Sequence, residues 1–271
     1  MATNKDTENN SPSAPAPADN DIAKLTEIAE QDIDEAIEDE FGTIYSKDGK
    51  RLFEFNKDLE GNEDDLIIRD GTEIICDDAF SDCTYLDSLI IPPSVTSIGN
   101  RAFAGCSVLT SIGIPSTVTS IGDGAFENCY RLTSIEIPSS VTSIGNGVFN
   151  TCSSLNSITI PPSVRTMKGN PFKEWYGHIV TNSPYFKYEN GALIDVEKGL
   201  LIAFCSTATS CTIPPSVKTI GYSAFFGCEN LISITIPPSI KEIGSMAFMF
   251  CPNLDATTKS EIFRRFGRKI P

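Results

Sequence analysis

The apolar positions of this chain recur every 23 residues. In most periods a phenylalanine is followed three residues later by a cysteine and, after three more, by a leucine. A fixed period of roughly 20–50 residues is typical of a solenoid, in which each repeat packs mainly on its two neighbours. The phenylalanines in this phase are Phe80, Phe103, Phe126, Phe149 and Phe172, followed after a longer interval by Phe225 and Phe248.

The alternation of apolar and polar residues predicts one short strand in each repeat. In residues 109–131 the segment LTSIGI directs Ile112 and Ile114 to one face, which is the period-two pattern of a strand. Pro115 cannot donate to a sheet ladder and is expected to end the strand. Gly122 suits a bend that needs permissive backbone dihedrals. The side chains expected to point inward after the strand are Val118, Ile121, Ala125, Phe126 and Cys129.

The combined motifs L-x-x-I-x-I-P and I-G-x-x-A-F-x-x-C resemble the BspA-like, Treponema-type leucine-rich repeat family. The resemblance extends from about Leu66 to Leu254. It implies a β-rich α/β fold, which is a right-handed leucine-rich-repeat solenoid with a parallel sheet on one face. The spacing lengthens between Met167 and Thr212, where about 30 residues are inserted.

Two similar segments each precede a run of repeats. Residues 44–55 (IYSKDGKRLFEF) align with residues 193–204 (LIDVEKGLLIAF), and both predict a β-hairpin. We expect each hairpin to plug an exposed end or side of the repeats, because an uncovered sheet edge invites aggregation.

We therefore divide the chain into six segments. They are a disordered tail (1–20), an acidic helix and hairpin forming an N-terminal cap (21–65), repeats (66–172), an insertion with an aromatic cluster and a hairpin (173–211), repeats (212–254) and a C-terminal cap helix (255–271).

Charge is concentrated at the two ends of the chain. Residues 1–65 contain 19 Asp and Glu but only 6 Lys and Arg, whereas the rest is nearly neutral. This balance argues against a nucleic-acid-binding surface. The acidic helix predicted over Asp21–Glu40 either packs on the first repeat or docks a basic partner. The basic helix predicted over Thr258–Gly267, with a capping box at its start, either caps the last repeat or contacts an acidic partner, such as the N-terminal segment of a neighbouring chain.

The nine cysteines do not predict a metal site or a catalytic site. Six of them share one repeat position and are expected to form a row of buried free thiols. Cys205 and Cys211 could pair if the protein is exported. The sequence has no C-x-x-C motif, no phosphate-binding loop and a single histidine, His178, so we expect no enzyme activity, cofactor or metal.

Two surfaces are candidates for binding a protein partner. The first is formed by the outward positions of the predicted strands, which carry small polar side chains. The second is the aromatic cluster of the insertion, whose residues could instead build a small core. The candidate binding residues are Ser111, Ser134, Glu136, Ser157, Thr159, Ser233 and Thr235 on the strands, with Trp175 and Tyr176 in the insertion.

We expect a non-enzymatic repeat scaffold that mediates protein–protein interaction. The chain has no apolar stretch long enough for a membrane span and no N-terminal leader, which favours a cytoplasmic location. The family resemblance implies an alternative, an exported or surface-associated adhesin that binds host protein or glycan.

Overall fold

A computed structural model describes residues 25–56 and 68–267, and it shows a β-solenoid in which most repeats contribute strands to two separate ladders. The first sheet has eight strands, β1 (Ile37–Glu38), β2 (Ile44–Tyr45), β3 (Arg51–Glu54), β4 (Ile74–Ile75), β5 (Ser97–Ile98), β7 (Ser120–Ile121), β9 (Ser143–Ile144) and β11 (Thr166–Met167). The second sheet has five, β13 (Phe186–Glu189), β14 (Ala192–Asp195), β15 (Leu200–Phe204), β17 (Thr219–Ile220) and β19 (Glu242–Ile243).

The strands predicted from the L-x-x-I-x-I motif form three parallel pairs on another face of the solenoid. These are β6 (Ser111–Gly113) with β8 (Ser134–Glu136), β10 (Ser157–Ile160) with β12 (His178–Thr181), and β16 (Ser210–Thr212) with β18 (Ser233–Thr235). The prediction of a parallel sheet on one face was therefore incomplete. The longer ladder is built by the T-S-I-G segment of each repeat, whose two-residue strands are too short to show an alternating pattern.

Gly122 is required for a different reason from the one its sequence context suggests. Its φ lies outside the left-handed region, so permissive dihedrals are not the cause. A Cβ atom at Gly122 would instead lie 2.5 Å from the carbonyl carbon of Gly99 in the preceding repeat. Gly145 and Gly244 face the preceding turn equally closely. Glycine at this position lets the backbones of successive turns approach one another.

Each run of repeats begins at the second strand of a β-hairpin. β2 pairs with β3 and β14 pairs with β15, both in antiparallel fashion, as the two aligned segments predict. β3 then pairs in parallel with β4, and β15 pairs in parallel with β17. The hairpins therefore continue the sheets of the repeats at their N-terminal ends.

Phenylalanine rings stack along the core at the repeat period. The hairpin residue Phe55 lies 5.1 Å from Phe80, ring centre to ring centre, and stacking continues at 5.0–6.1 Å as far as Phe172. In the second run, Phe204 of the hairpin lies 5.4 Å from Phe225, which stacks on Phe248 at 5.2 Å. Phe55 and Phe204 occupy the same position in the aligned hairpin segments, so each hairpin supplies the first ring of a column.

The repeat cysteines form a second buried row beside the rings. The thiols of Cys106, Cys129 and Cys152 each donate to the carbonyl oxygen of the phenylalanine 26 residues earlier, over 3.2, 3.2 and 3.1 Å. All nine cysteines are buried and unpaired, including Cys205 and Cys211, so the row of free thiols is confirmed. Burial raises the pKa of Cys152 to about 12, because removal from water disfavours the thiolate.

Asp and Asn alternate along one corner of the first run. The backbone N–H of Asn100 donates to Asp77 Oδ1 over 2.7 Å, and its side-chain amide donates to Asp77 Oδ2 over 2.9 Å. The N–H groups of Asp123, Asn146 and Asn170 donate in turn to the preceding side chain over 2.8, 2.9 and 3.1 Å. Alternation gives each carboxylate an amide neighbour, so no two carboxylates are adjacent in this row.

The N-terminal helix is much shorter than predicted. Helix α1 comprises only Glu30–Asp34, whereas the pattern predicted a helix over Asp21–Glu40. Ile37 and Glu38 form β1 instead, because the chain turns to pair this segment with β2. Residues 21–24 of the prediction, like the tail at 1–20, lie outside the described residues.

The C-terminal helix lies beside the last strand of the L-x-x-I-x-I face. Helix α2 comprises Ala256–Phe266, and Gly267 ends it with a φ of 64°. The predicted capping box was wrong, because Asp255 is the N-cap and its Oδ1 accepts from the Thr258 N–H over 2.6 Å. Thr258 is buried, and its Oγ1 accepts from the N–H of Ile234 in β18.

Candidate functional site

The outward side chains of the L-x-x-I-x-I strands form a surface that we call the strand face. Ser111 is in register with Ser134, and Gly113 is in register with Glu136. In the second run Ser210 and Thr212 are in register with Ser233 and Thr235. The candidate residues of this face are exposed except Ser233, which is partly exposed. The predicted strand residues therefore do lie in rows on the surface.

His178 and Val180 extend the strand face into the insertion. β12 pairs in parallel with β10, and the register places His178 beside Ser157 and Val180 beside Thr159. Val180 is 48% exposed, which is unusual among the small polar residues of this surface. The sequence analysis missed this strand because His178 follows Ser157 by 21 residues and not by 23. The signal that could have found it is the alternation in His178–Thr181, which matches that of Ser157–Ile160.

Trp175 lies in the core and does not contribute to the surface. It occupies the repeat position of the cysteines, three residues after Phe172, and its ring centre lies 5.1 Å from that of Phe172. Its side chain is 2% exposed, and its Nε1 donates to the carbonyl oxygen of Leu155 over 2.6 Å. A buried tryptophan cannot anchor a partner on the folded protein, so this candidate belongs to the alternative, structural interpretation.

Tyr176 connects the insertion to the second run of repeats. Its hydroxyl donates to the carbonyl oxygen of Gly227, and the side chain remains 39% exposed. Burial of the hydroxyl raises the pKa of Tyr176 to about 12. Nearby, Asn170 Nδ2 donates to the Ser223 carbonyl over 2.8 Å. These contacts place the two runs against each other across the insertion.

A cleft of about 720 Å³ lies where the first run, the insertion and the second run meet. We call it the junction cleft. Its size is within the range of roughly 300–1,000 Å³ that is usual for small-molecule sites. The side chains that give it chemical character are Asn156, Glu174, Tyr176, His178, Tyr188 and Glu229.

Aromatic side chains shape one side of the junction cleft. The rings of His178 and Tyr188 meet edge to face, with centres 5.4 Å apart. The Tyr188 hydroxyl donates to the carbonyl oxygen of Cys205 over 3.0 Å, and burial raises the pKa of Tyr188 to about 12. This arrangement holds the phenol ring in a defined orientation, so the cleft presents ring edges together with two carboxylates.

The junction cleft suits binding better than chemistry. Its thiol, Cys205, is buried, and burial raises the pKa of that thiol, which disfavours the nucleophilic thiolate. Among the described residues, no group of three or more His, Cys, Asp or Glu side chains is arranged to hold a metal ion. Within the same ranges, none of the helices has the length and apolar content needed to cross a bilayer.

Residues 62–179 and 202–270 match the sequence model of the BspA-type leucine-rich repeat region, with six copies. No curated protein matches the sequence. Among solved structures, a leucine-rich cell surface protein from Faecalibacterium prausnitzii is 27% identical with a TM-score of 0.59, and the match covers 82% of this chain and 66% of that one. A leucine-rich repeat protein from Eubacterium ventriosum is 28% identical with a TM-score of 0.55, and the match covers 79% and 62%.

A third similar structure supports the fold alone. The pneumococcal vaccine antigen PcpA has a TM-score of 0.62 at 20% identity, and the match covers 81% of this chain and 69% of that one. This chain spans less than two thirds of the length of the first two structures.

Proposed function

Because the chain belongs to the BspA-type leucine-rich repeat family, we propose that it is a non-enzymatic scaffold that binds a protein partner along its strand face. The observation that carries this proposal is the continuity of that face. β8 lies beside β10, and the register from β10 to β12 brings the outward row to the mouth of the junction cleft through His178. An extended surface of this kind is what solenoids use to engage other proteins.

The chemistry of the face favours a long contact made of many weak interactions. Ser134, Ser157 and Thr159 supply short hydroxyl side chains, which lack the area of the aromatic and arginine anchors usual in tight interfaces. The junction cleft adds what the rows lack, since His178, Tyr188 and the carboxylates of Glu174 and Glu229 line it. We propose that a basic side chain of the partner enters the cleft while the rest of the partner lies on the strand face.

A capture experiment with matched surface variants tests this function. The wild-type chain is immobilised and exposed to lysate and surface fractions of its native organism, and captured proteins are identified by mass spectrometry. Ser134→Arg with Thr159→Arg blocks the strand face, Glu229→Gln with His178→Ala alters the cleft, and Ser116→Arg places the same bulk on an exposed turn outside both surfaces.

We expect one partner to be lost with the strand-face pair, weakened with the cleft pair and kept with Ser116→Arg. A partner retained equally by all three variants binds elsewhere, and that result rejects the proposal. Circular dichroism of each variant checks that the fold is intact.

A second function, a surface-associated adhesin for host protein or glycan, is favoured by one observation. The Faecalibacterium prausnitzii structure, at 27% identity, is described as a cell surface protein. Fractionation of the native cells decides between the two locations. Recovery at the cell surface supports the adhesin, whereas recovery only with cytoplasmic markers supports the predicted cytoplasmic scaffold.

A further inference from the structure

The C-terminal end of the solenoid exposes large apolar side chains. Met246 is 50% exposed, Phe250 is 56% exposed, and Phe263 on α2 is 53% exposed. In the first run, the corner positions equivalent to Met246 and Phe250 carry polar residues or glycine, among them Arg101, Gly124, Asp82 and Asn128. The last repeat therefore departs from the surface chemistry of its own chain.

Met246 and Phe250 also occupy an unfavourable backbone conformation. Their φ angles are 56° and 58°, in the left-handed region that favours Gly, Asn and Asp. Most of each side chain is exposed, so its burial cannot offset this conformational cost. Strain of this kind is typical of sites with a role beyond folding.

The apolar side chains at this corner are held by contacts with one another. The Tyr222 hydroxyl lies 3.3 Å from Met246 Sδ, and the rings of Phe226 and Phe250 meet edge to face with centres 5.1 Å apart. The patch is thus ordered before anything binds to it, which lowers the entropic cost of association.

The same corner presents backbone donors in the pattern that joins one repeat to the next. In the first run, the N–H groups of Gly124, Phe126 and Asn128 donate to carbonyls of the following turn over 2.8, 3.0 and 2.9 Å. The equivalent N–H groups, those of Met246, Phe248 and Phe250, have no acceptor in the part of the chain that the structure describes.

The opposite end of the molecule has complementary charge and exposed apolar groups of its own. Leu25, Ile33 and Phe41 are 46%, 64% and 58% exposed. Residues 25–56 contain ten Asp and Glu but only three Lys and Arg. Within the described ranges, the acidic residues without an ion pair include Glu30, Asp34, Glu38 and Glu40, whereas at the C-terminal end Lys259 and Arg264 are the basic residues of α2 without one.

The strands at the two ends are compatible with continuous pairing. β1 is the edge strand at the N-terminal end of the eight-stranded sheet, and β19 is the edge strand at the C-terminal end of the five-stranded sheet. β1 is antiparallel to β2, which is antiparallel to β3, so β1 runs in the direction of the repeat strands. A second copy placed end to end therefore presents β1 parallel to β19.

We infer that the patch formed by Met246, Phe250 and Phe263 docks the acidic N-terminal cap of a second copy of this chain, head to tail. Charge complementarity and the matching strand direction select this occupant. Because the contact joins two different surfaces, each copy keeps one free head and one free tail, and association does not close at the dimer unless a ring forms.

Analytical ultracentrifugation of the full chain tests the inference. The tail variant carries Met246→Gly and Phe250→Gly, and the head variant carries Ile33→Ser and Phe41→Ser. We expect the mean mass of the wild type to rise with concentration and to fall in high salt, whereas each variant alone stays monomeric. An equimolar mixture of the two variants restores one intact head and one intact tail, so it forms a dimer and no larger species.

Two control variants separate the interface from general effects of substitution. Asn128→Gly removes a side chain at φ 60° in the middle of the first run, and Tyr130→Ser removes an aromatic ring that is 45% exposed. Both are expected to associate like the wild type. The inference is overturned if the wild type is monomeric at about 100 μM, well above a micromolar dissociation constant, if the tail and head variants associate like the wild type, or if their mixture stays monomeric.

Discussion

The indole Nε1 of Trp175 donates a hydrogen bond of 2.6 Å to the carbonyl oxygen of Leu155, one turn earlier in the solenoid. In other repeats a thiol closes the turn at this position by donating to a phenylalanine carbonyl. The larger indole shortens its repeat by two residues and brings His178 into register with Ser157. The contact thereby sets the position of β12 and of one wall of the junction cleft.

Replacing Trp175 should destabilise the whole fold. We expect Trp175→Phe to lower the free energy of unfolding by about 1–3 kcal/mol, because the Leu155 carbonyl loses its donor in a buried site. Trp175→Ala should cost about 3–5 kcal/mol through the added cavity. Denaturant titration measures both, and Tyr130→Phe, at an exposed position, is the control. Equal stability of the wild type and Trp175→Ala contradicts a core role.

Gly122 and Gly113 should respond oppositely to the same substitution. Gly122→Ala places a methyl group 2.5 Å from the Gly99 carbonyl carbon, and forcing the two turns apart should cost about 1–3 kcal/mol or more. At Gly113 nothing lies within 4 Å of the added Cβ, so Gly113→Ala should be neutral or stabilising by up to about 1 kcal/mol. Thermal unfolding of both variants checks the contrast, and equal loss at the two positions rejects it.

The corner row should tolerate Asp123→Asn but not Asn100→Asp. In Asp123→Asn the side-chain oxygen can still accept from the Asn146 N–H. Asn100→Asp removes the donor to Asp77 Oδ2 and sets two carboxylates side by side, which should cost about 1–3 kcal/mol at neutral pH. Repulsion raises the pKa of the pair in the folded state, so the loss should disappear below about pH 4 as the carboxylates are protonated. A deficit unchanged at pH 3 contradicts this explanation.

Stability should fall in alkaline solution because of the buried thiols. The pKa values of Cys76, Cys152 and Cys211 are each raised from 9.0 to about 12, mainly by burial. The unfolded chain therefore loses these protons above pH 9 while the folded chain keeps them until about pH 12. Each such thiol should lower the free energy of unfolding by about 1.4 kcal/mol between pH 9 and pH 10.

Urea unfolding as a function of pH measures this dependence. Cys152→Ala should show a shallower decline than the wild type, although its stability at pH 7 is lower. Thiol reagents provide an independent check, since the native protein should react slowly at all nine cysteines and fully after denaturation. Identical pH slopes for the wild type and Cys152→Ala oppose this account.

The features that sequence could predict are those that repeat. The columns headed by Phe80 and Cys106 and the two hairpins follow from the period and from local turn residues. The T-S-I-G ladder could not be predicted in this way, because a two-residue strand such as Ser120–Ile121 has no periodicity and forms only by pairing with its neighbouring turns. The helix expected beyond Asp34 failed for a similar reason, since pairing of Ile37 with Tyr45 overrides local propensity.

Of the candidate surfaces, the strand face could be predicted and the junction cleft could not. Ser111 and Ser134 follow directly from alternation. The cleft depends on Trp175 replacing a cysteine and on the second run packing against the first through Tyr176 and Gly227, which are 51 residues apart. Contacts between such distant positions leave no local pattern.

The alternating Asp and Asn row bears on how the gene can change in length. An unequal crossover within the first run adds or removes one 23-residue turn in frame, and the phenylalanine column and the thiol bonds close again across the new joint. Loss of the turn that contains Asn100, however, sets Asp77 against Asp123. Loss or gain of two turns keeps the alternation, so descendants of this gene should differ in length by even numbers of turns more often than by odd ones.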